Sequence, residues 1–89
     1  MQNYRVRDIS KTYDVYMKAD NIDNLRKKLI VKAGKNYTDY EISVELKSHK
    51  LKFLGTLNVW PGVNRYANWQ QAGKRSWQNV SYKTGKILR

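Results

Sequence analysis

Apolar and polar positions alternate at period two through the opening of the chain. Tyr4 and Val6 alternate with Arg5 and Arg7, and Tyr13, Val15 and Met17 alternate with Asp14, Tyr16 and Lys18. Alternation over short β-prone runs predicts two strands, with Ser10-Lys11-Thr12 as the turn between them. The spacing then lengthens. Ile22, Leu25, Leu29 and Ala33 fall on one helical stripe. Asp20 or Asn21 can cap its start, Asp23 places a negative charge in the first turn, and Lys32 lies in the last. Gly34 suits a left-handed C-cap. The pattern predicts a helix over 21–33, with Val31 off the stripe.

Period two returns in the middle of the chain. Ile42, Val44 and Leu46 alternate with Glu41, Ser43, Glu45 and Lys47, as in a strand that faces water on one side. After Ser48-His49, the residues Leu51, Phe53, Leu57 and Val59 form one apolar face, opposed by Lys50, Lys52, Thr56 and Asn58. Gly55 interrupts this row, where a bulge or a close backbone approach is expected. Trp60-Pro61-Gly62 ends the strand.

In the last third, Asn68-Trp69-Gln70-Gln71 recurs faintly as Ser76-Trp77-Gln78-Asn79. A hairpin closed by Ala72-Gly73-Lys74, with a positive φ at Gly73 or its neighbour, gives paired residue numbers that add to 146. Trp69 then opposes Trp77 on a face shared with Arg65, Ala67, Gln71, Arg75, Asn79 and Lys83. Tyr66, Val80 and Tyr82 occupy the other face with Asn68 and Gln78. A helix over 64–72, started by Asn64 and ended by Gly73, is the rival reading. These elements predict an α+β fold for residues 1–89 as a single domain. It has an antiparallel sheet of about four to six strands, in the order β-β-α-β-β plus a C-terminal hairpin, with one helix.

Charge changes the picture most. The 89 residues carry eighteen Lys/Arg against seven Asp/Glu, a net +11. Residues 1–45 hold nine of the cations and all seven acids, whereas residues 46–89 hold nine cations, no acid and all three tryptophans. An acid-free block of that kind repels itself, and a polyanion relieves the repulsion; nucleic acid is the commonest one. Two indoles on a basic face would add base stacking, worth about 1–3 kcal/mol per base. The longest aliphatic run is Leu29-Ile30-Val31, far short of the roughly 18–20 residues a membrane span needs. No apolar block suggests a signal peptide, and the lack of cysteine suits a reducing, cytoplasmic setting. The Asn- and Lys-rich usage suggests a bacterial or phage origin.

Catalytic groups are scarce. His49 is the only histidine and there is no cysteine, so a Ser–His–Asp relay or a zinc cluster lacks partners. His49 reads as a solvated turn residue. Thr84-Gly85-Lys86 lacks the glycine spacing of a phosphate-binding loop and reads as a turn. The one enzymatic alternative is a metal-dependent nuclease. In it Glu45 and Lys47 face the same way on a strand, with Asp39, Asp20 and Asp23 as further carboxylates.

The expectation is therefore non-catalytic nucleic-acid binding, without cofactor or metal, DNA and RNA being equally open. Lys50, Lys52, Arg65, Lys74, Arg75 and Lys83 would contact phosphates, and Trp69 and Trp77 would stack on bases. The alternative is a small interaction or assembly protein, a phage or mobile-element accessory for instance, whose basic face meets an acidic protein partner.

Overall fold

The computed structural model describes residues 1–9, 13–60 and 66–88. Its elements are β1 (Gln2–Asp8), β2 (Tyr13–Ala19), α1 (Ile22–Ala33), β3 (Thr38–Glu45), β4 (Leu51–Trp60), β5 (Tyr66–Gln71) and β6 (Gln78–Val80). The fold is thus α+β, one helix on a six-stranded antiparallel sheet. The Asn21 side chain caps α1 by accepting from the Asn24 N–H at 2.9 Å. Gly34 closes the helix at φ 61°, its N–H donating to the Val31 carbonyl. Val31 is 73% exposed, as its place off the stripe requires. The strand expected in place of a helix over 64–72 is present as β5; the turns expected at 10–12 and 61–62 lie outside the described residues.

The sheet order is β2-β1-β3-β4-β5-β6, and every neighbouring pair is antiparallel. β2 and β3 flank β1 and run the same way, so α1 carries the chain across one face of the sheet. That face holds Tyr4, Val6, Tyr40, Ile42, Leu57, Val59, Ala67, Trp69 and Val80, packed with Leu25, Leu29, Ile30 and Ala33 of the helix. Each fully buried aliphatic side chain there contributes about 1.5–3 kcal/mol. The opposite face is open to solvent.

Gly55 does more than interrupt a row. The β3–β4 register shifts there: Ile42 pairs with Gly55, but Ser43 pairs with Phe53, leaving Leu54 as an extra residue. Parity changes at such a bulge. Leu57 and Val59 are fully buried against α1, whereas Leu51 and Phe53 are exposed. The single apolar row expected from Leu51 to Val59 is therefore split between two faces. Glycine is required at this position because the Trp69 indole lies over it: a Cβ there would sit 2.6 Å from Trp69 Cζ2 and collide with the Gln70 carbonyl.

The β5–β6 register corrects a second expectation. Trp69 pairs with Gln78, Asn68 with Asn79 and Ala67 with Val80, so paired numbers add to 147. Gly73 does take a positive φ, 80°, in a tight turn closed by the Lys74 N–H on the Gln71 carbonyl. The loop then continues through Arg75, Ser76 and Trp77 before pairing begins. A one-residue slip exchanges faces. Trp69 shares the helix side with Val80 and Ala67, and Tyr66, Asn68 and Gln70 face solvent.

Candidate nucleic-acid interface

The two tryptophans of the expected platform have separate fates. Trp69 is 5% exposed, packed over Gly55 and under Arg26, whose guanidinium carbon lies 5.1 Å from its ring centroid. Trp77 is 45% exposed, in the loop before β6. The expected pairing of the two indoles on one basic face is absent. The reason is energetic: the sheet has a glycine hollow that only the large ring of Trp69 fills, and burying it outweighs exposing it for a ligand.

The basic residues fall into groups set by strand ends. β4 pairs with β5 only as far as Gly55 and Gln71, so the start of β4 extends beyond its neighbour. The Ala72 N–H donates to the Leu54 carbonyl, which lays the β5–β6 loop beside that extension. Lys50, Lys52, Lys74 and Arg75 are all exposed and all belong to this end of the sheet. The loop is shaped locally by the Gln70 side-chain amide donating to the Arg75 carbonyl at 3.1 Å. Lys47, in the β3–β4 turn, is a fifth exposed cation at the same end. Neither segment 46–54 nor segment 71–77 contains an acid. Exposed Leu46, Leu51 and Phe53 lie among these cations. Lys52 points to the helix side of the sheet, into a cleft of about 430 Å³ lined also by Tyr4, Asp20, Ile22 and Leu54.

Lys83 belongs elsewhere. The chain leaves β6 at the Ala67 end of the pairing, and the Tyr82 hydroxyl donates to the Trp60 carbonyl at 3.0 Å, at the far end of β4. Arg65 lies outside the described residues. At that far end the open face carries an aromatic row, Tyr37 and Trp60 with centroids 4.3 Å apart and Trp60 stacked on Tyr66 at 5.5 Å. The Tyr37 hydroxyl donates to the Asp39 carboxylate at 2.8 Å. The lysine-rich end also holds carboxylates, Asp20 in the Lys52 cleft and Glu45 opposite Leu51, but it gathers five cations against them.

Sequence reasoning missed two features. The outward face of α1 carries Lys27, Lys28 and Lys32, and Lys35 follows in the turn after it, all exposed, so basic surface is not confined to the acid-free half. Four of the seven acids, Asp14, Asp39, Glu41 and Glu45, lie on the open sheet face and Asp23 at the helix start, while Asp20 shares a cleft with Lys27 and Lys28. Asp14 is held by a bidentate contact from Arg5, 2.6 Å at the shortest, which keeps its carboxyl below the usual range. The second is Arg26, a helix residue just off the apolar stripe that is 3% exposed. Its Nε donates to the Gly85 carbonyl at 2.7 Å and its other end pairs with Asp23. Burial pulls this guanidinium below its ordinary value, and the nearby Asp23 and Tyr4 oppose that pull. The Asp23–Arg26 spacing of three was the available signal.

The acidic set of the nuclease alternative is dispersed. β3 ends at Glu45, and Lys47 lies in the following turn rather than on the strand. Asp39 and Glu45 stand six residues apart on one strand, about 20 Å. Glu45 instead receives the Asn3 amide at 3.4 Å and lies 3.8 Å from His49 Nδ1. His49 occupies the turn at φ 64°, its ring largely in solvent. Among the described residues no group of three or more His, Cys, Asp or Glu could hold a metal ion, and no helix is long and apolar enough to cross a membrane. Compared with known proteins, the chain matches no family model, no curated relative and no solved structure.

Proposed function

We propose that the chain is a non-catalytic nucleic-acid-binding protein whose contact surface is the end of the sheet formed by the β3–β4 hairpin and the β5–β6 loop. The observation that carries this reading is the gathering of Lys47, Lys50, Lys52, Lys74 and Arg75 in two adjacent segments that contain no acid. Trp77 supplies one exposed indole for a base, and Trp69 supplies none. Lys83 and Arg65 are secondary to this surface.

The test is a fluorescence titration on single- and double-stranded oligonucleotides at several salt concentrations. Four to six phosphate contacts give a slope of log K against log [salt] of about −3 to −5. No binding at low salt refutes the reading. The exposed Leu46, Leu51 and Phe53 then favour the second reading, an acidic protein partner with its own apolar surface.

A further inference from the structure

The two edges of the sheet are treated differently. β6 is only three residues long, and the tail covers it: Val80 bridges to Ile87, and the Leu88 N–H donates to the Asn79 carbonyl. β2 is seven residues long and stands at the other edge. It pairs with β1 in unbroken register from Gln2–Ala19 to Asp8–Tyr13. It contains no proline and no bulge. Among the described residues no strand pairs with its outward side, and a long, regular edge of that kind is a template for another strand.

The direction of those groups follows from two hydrogen bonds. The Ile9 N–H donates to the Asp39 carbonyl on β3, so odd residues of β1 point to β3 and even ones to β2. The partners of the even residues are Tyr13, Val15, Met17 and Ala19. Asp14, Tyr16 and Lys18 therefore aim their N–H and C=O groups away from the sheet. The Lys18 carbonyl agrees, since it accepts from the Lys28 ammonium at 3.0 Å.

We infer that β2 pairs antiparallel with β2 of a second copy of this chain, on a two-fold axis through Tyr16. In that register Tyr16 faces Tyr16, and Asp14 of each copy faces Lys18 of the other. All three outward residues then fall in narrow pairs that exchange both main-chain hydrogen bonds, with the Lys28 ammonium sharing or yielding the Lys18 carbonyl to the N–H of the facing strand. Shifting the register by two residues in either direction breaks both charge pairs. The segment is self-complementary in charge, as an isologous interface requires. Tyr16, 54% exposed on the open face, gains a ring partner across the axis. On the helix side, Val15 meets Met17. The same symmetry brings Lys28 of one copy towards Lys32 of the other, and each copy carries +11. Salt therefore relieves more repulsion than it takes from the two exposed Asp14–Lys18 pairs and strengthens the dimer, the opposite of its effect on a polyanion complex.

The experiment is sedimentation velocity on the whole chain without nucleic acid, which keeps its outcome independent of the binding reading. The expected result is a concentration-dependent doubling of mass that rises with salt. Lys18→Asp and Asp14→Lys each place like charges opposite one another twice, and each weakens association by about tenfold or more. Mixing the two variants restores it as a heterodimer, because each partner then meets its complement. Both substitutions are at exposed edge positions, and circular dichroism verifies folding. In Tyr16→Cys the paired Cα atoms stand about 5.5 Å apart, within disulfide reach, and the chain has no other cysteine. Mild oxidation should crosslink it much faster than Val31→Cys on the exposed helix face. A chain that stays monomeric at every concentration and salt overturns the inference. So does a dimer that survives both charge variants, or equal crosslinking of the two cysteine variants.

Discussion

Trp69 with Arg26, and Trp77 with Lys74 and Arg75, are built from the same residue types and serve opposite ends. Around Trp69 the cation is buried, anchored by Asp23 and the Gly85 carbonyl, and laid over an indole that fills the hollow above Gly55. The polar groups there hold α1, β5 and the tail together. Around Trp77 the cations are in water, and the loop is held by backbone hydrogen bonds and by the Gln70 side-chain amide on the Arg75 carbonyl. The difference teaches that an indole beside a cation is no signature of a ligand site until its exposure is known. Burial turns the same chemistry into structure.

Substitution at the buried site should give the largest effects. Trp69→Ala empties the hollow over Gly55 and removes the surface beneath Arg26, a loss of about 3–5 kcal/mol. Against a total stability of about 5–15 kcal/mol, chemical denaturation should show a barely folded or unfolded chain. A variant with near-normal stability would erase the distinction between the two tryptophans. Arg26→Ala should cost about 1–3 kcal/mol, because it leaves the Gly85 carbonyl without its donor, while Asp23 stays partly solvated. Restoring volume with Arg26→Met should recover part of that loss if packing on Trp69 matters beside the charge.

The exposed site should respond in binding and not in folding. Trp77→Ala should lower stability by less than about 1.5 kcal/mol, since a largely solvated ring gives up little buried area. It should weaken single-strand affinity by about 1–3 kcal/mol, the stacking of one base. A folded variant with unchanged affinity leaves the cations as the whole of the interface. Lys50→Ala, Lys74→Ala and Arg75→Ala should each leave stability within about 0.5 kcal/mol. Each should also reduce the magnitude of the salt slope by about 0.7–0.9 for every phosphate the variant no longer neutralises, read from the same titrations.

The smallest effect is acid-dependent. Asp14 is held below its unfolded value by Arg5, so the stability it contributes is complete above that value. It is lost as pH falls through the depressed folded value. The pair is solvent-exposed and screened, so an acid titration should show a slight loss in wild type that Asp14→Asn lacks. An identical acid limb in both would mean that Arg5 contributes nothing to the edge of the sheet.

Much of the fold could be read from the chain itself. The Asn21 cap, the stripe from Ile22 to Ala33 and the glycine stop are local, so α1 follows from residues within one or two turns of each other. β1 to β4 follow from period-two alternation, and Gly55 marked the bulge as the one defect in its row. The net charge of +11 and the absence of acids after Glu45 are likewise properties of the chain. The proposed polyanionic partner rests on them, without any structure.

Tertiary structure decided the rest, because it depended on residues far apart in sequence. Symmetry about Gly73 suggested one hairpin register, but three loop residues beyond the tight turn slipped it by one and brought Val80 to the face of Trp69, which pairing with Leu57 buries. Nothing near Trp69 in the chain announces that Gly55, two strand positions past its partner Leu57, offers the hollow that buries it. Arg26 reads as one more helix cation until Gly85, 59 residues away, supplies the carbonyl that takes it inside. Local periodicity reports which face a residue shares with its neighbours. Which of two aromatic residues is buried depends on what the opposite strand leaves empty.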